Sequence, residues 1–230
     1  MNRSLTRRDA LLLGGHLIAG AAIGCRLPGR PIASPAVGRF QRSFRFPPVL
    51  RPVRADQTTD YYEITHRAGV LDILSGTATP ILGYDGIAPG PTIRANRGRR
   101  VVVQHTNHLA VPTAVHLHGG VTPSDSDGFP TDVIAPGTSR AYVYPNDQPA
   151  ATLWYHDHAM HHAGRNVYTG LAGLYLVHDD EERALRLPEG PFDVPLLIQE
   201  RSVRRDGALA YDTDRNIGAL GDIILVNGVP

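Results

Sequence analysis

Residues 154–162 read W-Y-H-D-H-A-M-H-H, which places four imidazoles in nine positions. Such a cluster can bind metal, titrate near neutral pH or be wetted surface, and the choice depends on what else the chain supplies. A second pair stands upstream in A-V-H-L-H-G-G, where His116 and His118 repeat the i, i+2 spacing of His156 and His158. On a β-strand, side chains two apart share a face about 6.5–7 Å apart, so one pair can set its imidazoles beside two neighbouring metal ions. A helix would splay them. The flanking Val115, Leu117, Leu153, Trp154 and Tyr155 favour strands, and Gly119 and Gly120 let the backbone turn closely beneath a site. Four imidazoles with no thiolate or carboxylate in the set suit copper, zinc or nickel better than calcium or magnesium. Zinc hydrolases more often include a carboxylate ligand.

The elements that must position these residues are strands. From Tyr61 onward, short runs rich in Val, Ile, Tyr and Thr alternate with Gly, Pro, Asn and Asp. The pattern predicts strands over 61–65, 70–74, 92–95, 101–106, 113–117, 139–144, 152–156, 173–178, 194–199 and 222–226. No long helical period lies between them, so the expected fold is an antiparallel Greek-key sandwich or barrel rather than an α/β sheet. Residues 180–190 are charged and end in Pro and Gly, like a connector, and only two strand-like runs follow. Two strands cannot close a domain. The chain therefore reads as one domain over 56–180, followed over 181–230 by the opening of a second or by an extension folded back on the first.

With 230 residues, 42% of them apolar, the chain can bury a large core. A formal charge of +1 offers no field to draw in nucleic acid, and no nucleic-acid partner is expected. The first residues, M-N-R-S-L-T-R-R-D-A, are basic, with Arg7 and Arg8 just before an apolar stretch too short to span a bilayer. Residues 1–25 read as a twin-arginine export signal, although a generic secretory signal with a chance arginine pair fits the same residues. Export would place the protein in the periplasm, at the cell surface or outside the cell. Cys25, the single cysteine, closes A-A-I-G-C like a lipoprotein processing box, but Ala22 stands where a larger aliphatic is usual. Residues 26–55, rich in Pro and Arg, read as a linker.

The stretches A-V-H-L-H-G-G-V-T-P-S-D-S-D-G-F-P, L-W-Y-H-D-H-A-M and N-V-Y-T-G-L-A-G-L-Y-L-V-H-D resemble the amino-terminal cupredoxin domain of the multicopper oxidases. The branch is that of spore-coat laccase, bilirubin oxidase and phenoxazinone synthase. The resemblance runs from Tyr61, through I-L-G-Y-D-G-I-A-P-G-P-T-I at 81–93, to I-L-V-N-G at 224–228. It implies an all-β cupredoxin-like fold with a partial start of a second cupredoxin domain. In the family, four His-x-His motifs hold a trinuclear copper cluster that reduces dioxygen to water, with electrons arriving from a blue copper in the last domain. Carried onto this sequence, the resemblance makes His116 a ligand of the type 2 copper. It lets His118 and His156 share one type 3 copper and gives His158 to the other. It also gives Asp127, in S-D-S-D-G, the position of an acid that helps deliver protons. Read from the residues alone, Asp127 is equally an Asp in a glycine-containing turn.

His161 and His162 fall beyond the motif and are expected to be surface residues. His66, His105, His108 and His178 are expected to be solvated or structural. Trp154 is expected to be a core aromatic, and Asp157 a polar loop residue or a partner of the ligands. A blue copper needs a Cys thiolate, and no Cys follows position 25. Half of the trinuclear ligands are present, so the resemblance implies that missing domains or a second chain complete the cluster. The partners implied are then dioxygen and phenolic or metal-ion donors. The alternative function is a non-catalytic exported copper-binding module, a buffer or donor using the same four histidines.

Overall fold

Runs of β-branched and aromatic residues between glycine and proline turns fold as strands, as their composition predicts. The computed structural model describes residues 33–38, 41–213 and 218–230, so the predicted export signal and Cys25 lie outside the described residues. The strands are β1 (Arg54–Ala55), β2 (Thr59–Leu71), β3 (Thr79–Tyr84), β4 (Gly90–Asn96), β5 (Arg100–Asn107) and β6 (Val115–His118). They continue as β7 (Ser139–Tyr144), β8 (Ala151–Asp157), β9 (Ala172–His178), β10 (Ile198–Arg201) and β11 (Ile223–Val226). Two short helices, α1 (Ala163–Thr169) and α2 (Asp180–Ala184), lie among the later strands.

One sheet runs β1-β2-β5-β7 with β3 paired on β2, and the other runs β4-β9-β8-β6. The two inner faces share one core. Tyr62 and Ile64, Val101 and Val103, and Tyr142 and Tyr144 come from the first sheet. Ile93, Val115, Leu117, Leu153, Tyr155, Tyr175 and Val177 come from the second. The architecture is the expected all-β sandwich of cupredoxin type, but the pairing is mixed rather than antiparallel throughout. β2 runs parallel to β5 and β4 parallel to β9. After β3 the chain crosses to the other sheet, lays down β4 and returns as β5 beside β2, so two strands make the crossover that a parallel pair requires. The expected strands at 61–65 and 70–74 are likewise one strand. Its first half pairs with β5 and its second with β3, and Ile73 and Leu74 lie buried beyond its end.

Residues 181–213 and 218–230 pack on the sandwich. β10 and β11 form an antiparallel ribbon whose Ile223 and Leu225 share a cluster with Ile73, Leu74 and Val203. The Tyr168 hydroxyl donates to the Ala210 carbonyl and accepts from the Ser202 amide, both at 2.8 Å, tying α1 to this segment.

Two of the remaining histidines are core residues. His66 Nε2 and His105 Nδ1 lie 2.8 Å apart, and His66 Nδ1 lies 2.9 Å from Thr113 Oγ1. Both rings are buried against Tyr84. His108 is exposed, and His178 Nδ1 lies 2.7 Å from Glu182 Oε2. Burial pushes His66 down to about 3 and His105 well below the usual histidine range. The folded state thus excludes protons that the unfolded chain takes up below pH 6.5, so the stability held above that pH is lost progressively as pH falls toward 3. For His66 alone the loss between pH 6.5 and pH 5 is about 2 kcal/mol. The urea midpoint is expected to fall steadily between pH 7 and pH 5; a flat midpoint over that range would show that the pair does not stay neutral.

Candidate metal centre

In β6, Val115 and Leu117 enter the core, so His116 and His118 stand on the outer face of the sheet. In β8, Leu153 and Tyr155 are the core residues, so Trp154 and His156 share that outer face. The antiparallel register sets His116 opposite His156 and His118 opposite Trp154. One step further, the His158 amide bonds the Ala114 carbonyl at 2.8 Å and carries the alternation on, so His158 joins the outer group. The rings converge: His116 lies 5.0 Å from His158 and 5.5 Å from His156, and His118 lies 5.5 Å from His156, centroid to centroid.

Each ring is aimed by its nitrogens. Carbonyls only accept, so His116 Nδ1 donates to Asp127 O at 2.7 Å, His156 Nδ1 to Asp157 O at 2.9 Å and His158 Nδ1 to Gly128 O at 3.2 Å. That leaves the Nε2 lone pairs of His116 and His158 free for a metal, while that of His156 faces a neighbouring ring. His118 instead turns Nδ1 toward His156 Nε2, at 3.3 Å. Ring nitrogens of His116, His118 and His156 all lie within 4.8 Å of one another. Burial pushes His156 down to about 4, against the opposing pull of its bond to Asp157. It is neutral at pH 7, so a cation there displaces no proton. An all-imidazole set of this kind fits copper.

Sequence reasoning did not locate two features of the site. The first is the pair of carbonyls at Asp127 and Gly128, which orient one histidine from each pair. Gly128 has φ +72°, and a Cβ there would lie 2.1 Å from the Val115 carbonyl oxygen, so only glycine fits. The G of S-D-S-D-G was the available signal. The second is Trp154, expected as a core aromatic: partly buried, it packs against the cluster of Ala172, Leu174 and Leu197 and also stacks 4.1 Å from His156 and 5.1 Å from His118. Strand alternation puts it on the histidine face. The same alternation turns Asp157 inward, fully buried at the end of β8 rather than in a polar loop. The Asp127 carboxylate is half-exposed, accepts from Thr122 Oγ1 at 3.1 Å and lies 3.3 Å from His116 Nδ1. His161 is exposed with φ +64° and His162 precedes α1; the nitrogens within 4.8 Å of one another are those of His116, His118 and His156, and His158 lies outside that group but stacks 5.0 Å from His116.

A sequence profile described as multicopper oxidase matches residues 66–182. The chain belongs to the multicopper oxidase family. It is 41% identical to a laccase of Bacillus stratosphericus over 207 residues, covering 77% of this chain and 41% of that protein. It is 37% identical to a bilirubin oxidase of Albifimbria verrucaria over 206 residues, covering 86% and 36%. It is 32% identical to the cell division protein FtsP of Rahnella sp. (strain Y9602) over 228 residues, covering 98% and 46%. The crystal structure of a laccase from Pediococcus acidilactici superposes with a TM-score of 0.78 at 32% identity, covering 86% of this chain and 43% of that one. The chain thus spans less than half the length of each of these relatives. Membership of the family implies copper as the metal.

Replacing Gly128 by Ala adds left-handed strain to a backbone overlap, and should cost about 2 kcal/mol or more. Thermal unfolding of Gly128→Ala is expected well below wild type; an unchanged midpoint would show that the turn relaxes without loss.

Proposed function

We propose that this chain supplies half of the ligands of a trinuclear copper cluster in an oxidase that couples one-electron oxidation of phenolic or metal-ion donors to dioxygen reduction. His116 would hold the type 2 copper, His118 and His156 would share one type 3 copper, and His158 would bind the other. The observation that carries this is the approach of His118 Nδ1 to within 3.3 Å of His156 Nε2. Two metal–nitrogen bonds of about 2.0 Å, meeting near the tetrahedral angle, leave their nitrogens about that far apart.

Copper in such a cluster supplies one-electron redox chemistry toward dioxygen. The chain's own residues do the rest on this reading. Asp127 and Gly128 fix the rings of His116 and His158 through their carbonyls, Trp154 covers the ring of His156, and the half-exposed Asp127 carboxylate, beside His116, would help deliver protons to the cluster. The remaining ligands and the blue copper must come from further domains or another chain, because this sequence has no Cys after position 25. Its amino-terminal residues support export by the twin-arginine route, with Cys25 available for a lipid anchor.

A second reading, copper storage or delivery without turnover, is favoured by the convergence of all four imidazoles within this chain alone. Trp154 is the only tryptophan and serves as the reporter for both readings. Copper(II) is expected to quench its fluorescence saturably. His118→Ala/His156→Ala should weaken binding at least about 10-fold, and His161→Ala/His162→Ala should leave it unchanged. A His118→Ala/His156→Ala chain that binds as tightly as wild type would contradict both readings. Dioxygen uptake with a phenolic donor, once the carboxyl-terminal domains of a relative are supplied, separates the oxidase from the store.

A further inference from the structure

The middle residues of the two His-x-His pairs both face the core, yet one is Leu117, buried among apolar side chains, and the other is Asp157, buried with no exposed surface. A carboxylate at a core-facing position is costly unless hydrogen bonds satisfy it. Asp157 has three. Its Oδ1 accepts from the Ala114 amide at 2.9 Å, and its Oδ2 accepts from the Ala159 amide at 3.3 Å and from Asn166 Nδ2 at 3.0 Å. Asn166 is itself buried in α1.

The three donors occupy telling positions. Ala114 immediately precedes β6, which carries His116 and His118. Ala159 immediately follows His158. Asn166 anchors the helix against which the chain turns after leaving the sheet. The backbone of Asp157 adds two more ties, its amide to the Leu171 carbonyl at 3.1 Å and its own carbonyl to His156 Nδ1 at 2.9 Å. One residue therefore sets the ring of His156, the exit path that carries His158 and the start of the strand that presents His116. A leucine there would fill the space but leave the Ala114 and Ala159 amides without this acceptor, each at a cost of about 1–3 kcal/mol, and would leave Asn166 Nδ2 with its longer contact to the Pro112 carbonyl at 3.4 Å.

We infer that Asp157, latched to Asn166, is a positioning residue of the copper site, fixing how His156 and His158 present their nitrogens. This rests on the reading of the four histidines as copper ligands. Substitution by Asn keeps the shape but turns an N–H₂ toward Asn166 or toward a backbone amide, donor against donor. Exchanging the pair, Asp157→Asn with Asn166→Asp, restores a donor–acceptor contact between the two side chains.

The test is copper(II) titration of the 230-residue chain by Trp154 fluorescence, with electron paramagnetic resonance of the bound ion and thermal unfolding of each variant. Asp157→Asn should bind copper(II) about 10–100-fold more weakly and with an altered copper hyperfine pattern. The exchanged double variant should recover most of the affinity and the wild-type spectrum. Asn166→Ala, which removes one bond of three, should stay folded and weaken binding by a smaller factor. Wild-type affinity and spectrum in Asp157→Asn or Asn166→Ala would overturn the inference, as would a loss that the exchange does not reverse. Should His118→Ala/His156→Ala bind copper(II) as tightly as wild type, the ligand reading fails, a result distinct from any of these.

Discussion

Val115 and Leu117 on one strand, and Leu153 and Tyr155 on its neighbour, are buried in a single core. Alternation along a strand then leaves His116, His118, Trp154 and His156 no face but the outer one. A slip of one residue in the pairing would reverse every side chain and expose those four core residues, at roughly 1.5–3 kcal/mol each. The hydrogen bonds that aim the imidazoles are worth about 1 kcal/mol apiece. The placement of the histidines is thus a consequence of apolar burial, and the polar contacts refine only the direction in which each ring points.

Refinement of that kind needs acceptors in fixed places. The turn after the 3₁₀ segment Ser124–Ser126 supplies two, and it is held to β7 by the bond from the Val143 amide to Ser126 Oγ at 3.0 Å. Arg140, also on β7, donates to the Asp125 carbonyl at 2.6 Å. A turn from one part of the sandwich therefore orients one ring from each histidine pair, and neither pair is set by its own strand alone. His118 is the exception. Exposed and stacked on Trp154, it turns its Nδ1 toward the neighbouring imidazole of His156.

Much of this was legible in the residues. The i, i+2 spacing beside β-branched and aromatic neighbours pointed to strand-borne imidazoles, and the turn-punctuated runs pointed to an all-β sandwich. Strand direction was not legible, because period-2 alternation reports which face is buried and says nothing of the partner; hence the parallel pairs β2–β5 and β4–β9. The inward Asp157 and outward Trp154 were legible in principle, since counting alternately from Leu153 assigns both, but residue type argued the other way. The buried His66–His105 pair was hidden because each ring becomes an acceptable core residue only through a partner 39 positions away.

X-ray absorption at the copper edge of the copper-loaded chain tests the central claim most directly, since it reads the ligand atoms themselves. A first shell of nitrogen at about 2.0 Å, with outer-shell scattering from two or more imidazoles, is the expected result. A shell of oxygen without imidazole scattering would contradict it, because the convergent rings would then hold no metal.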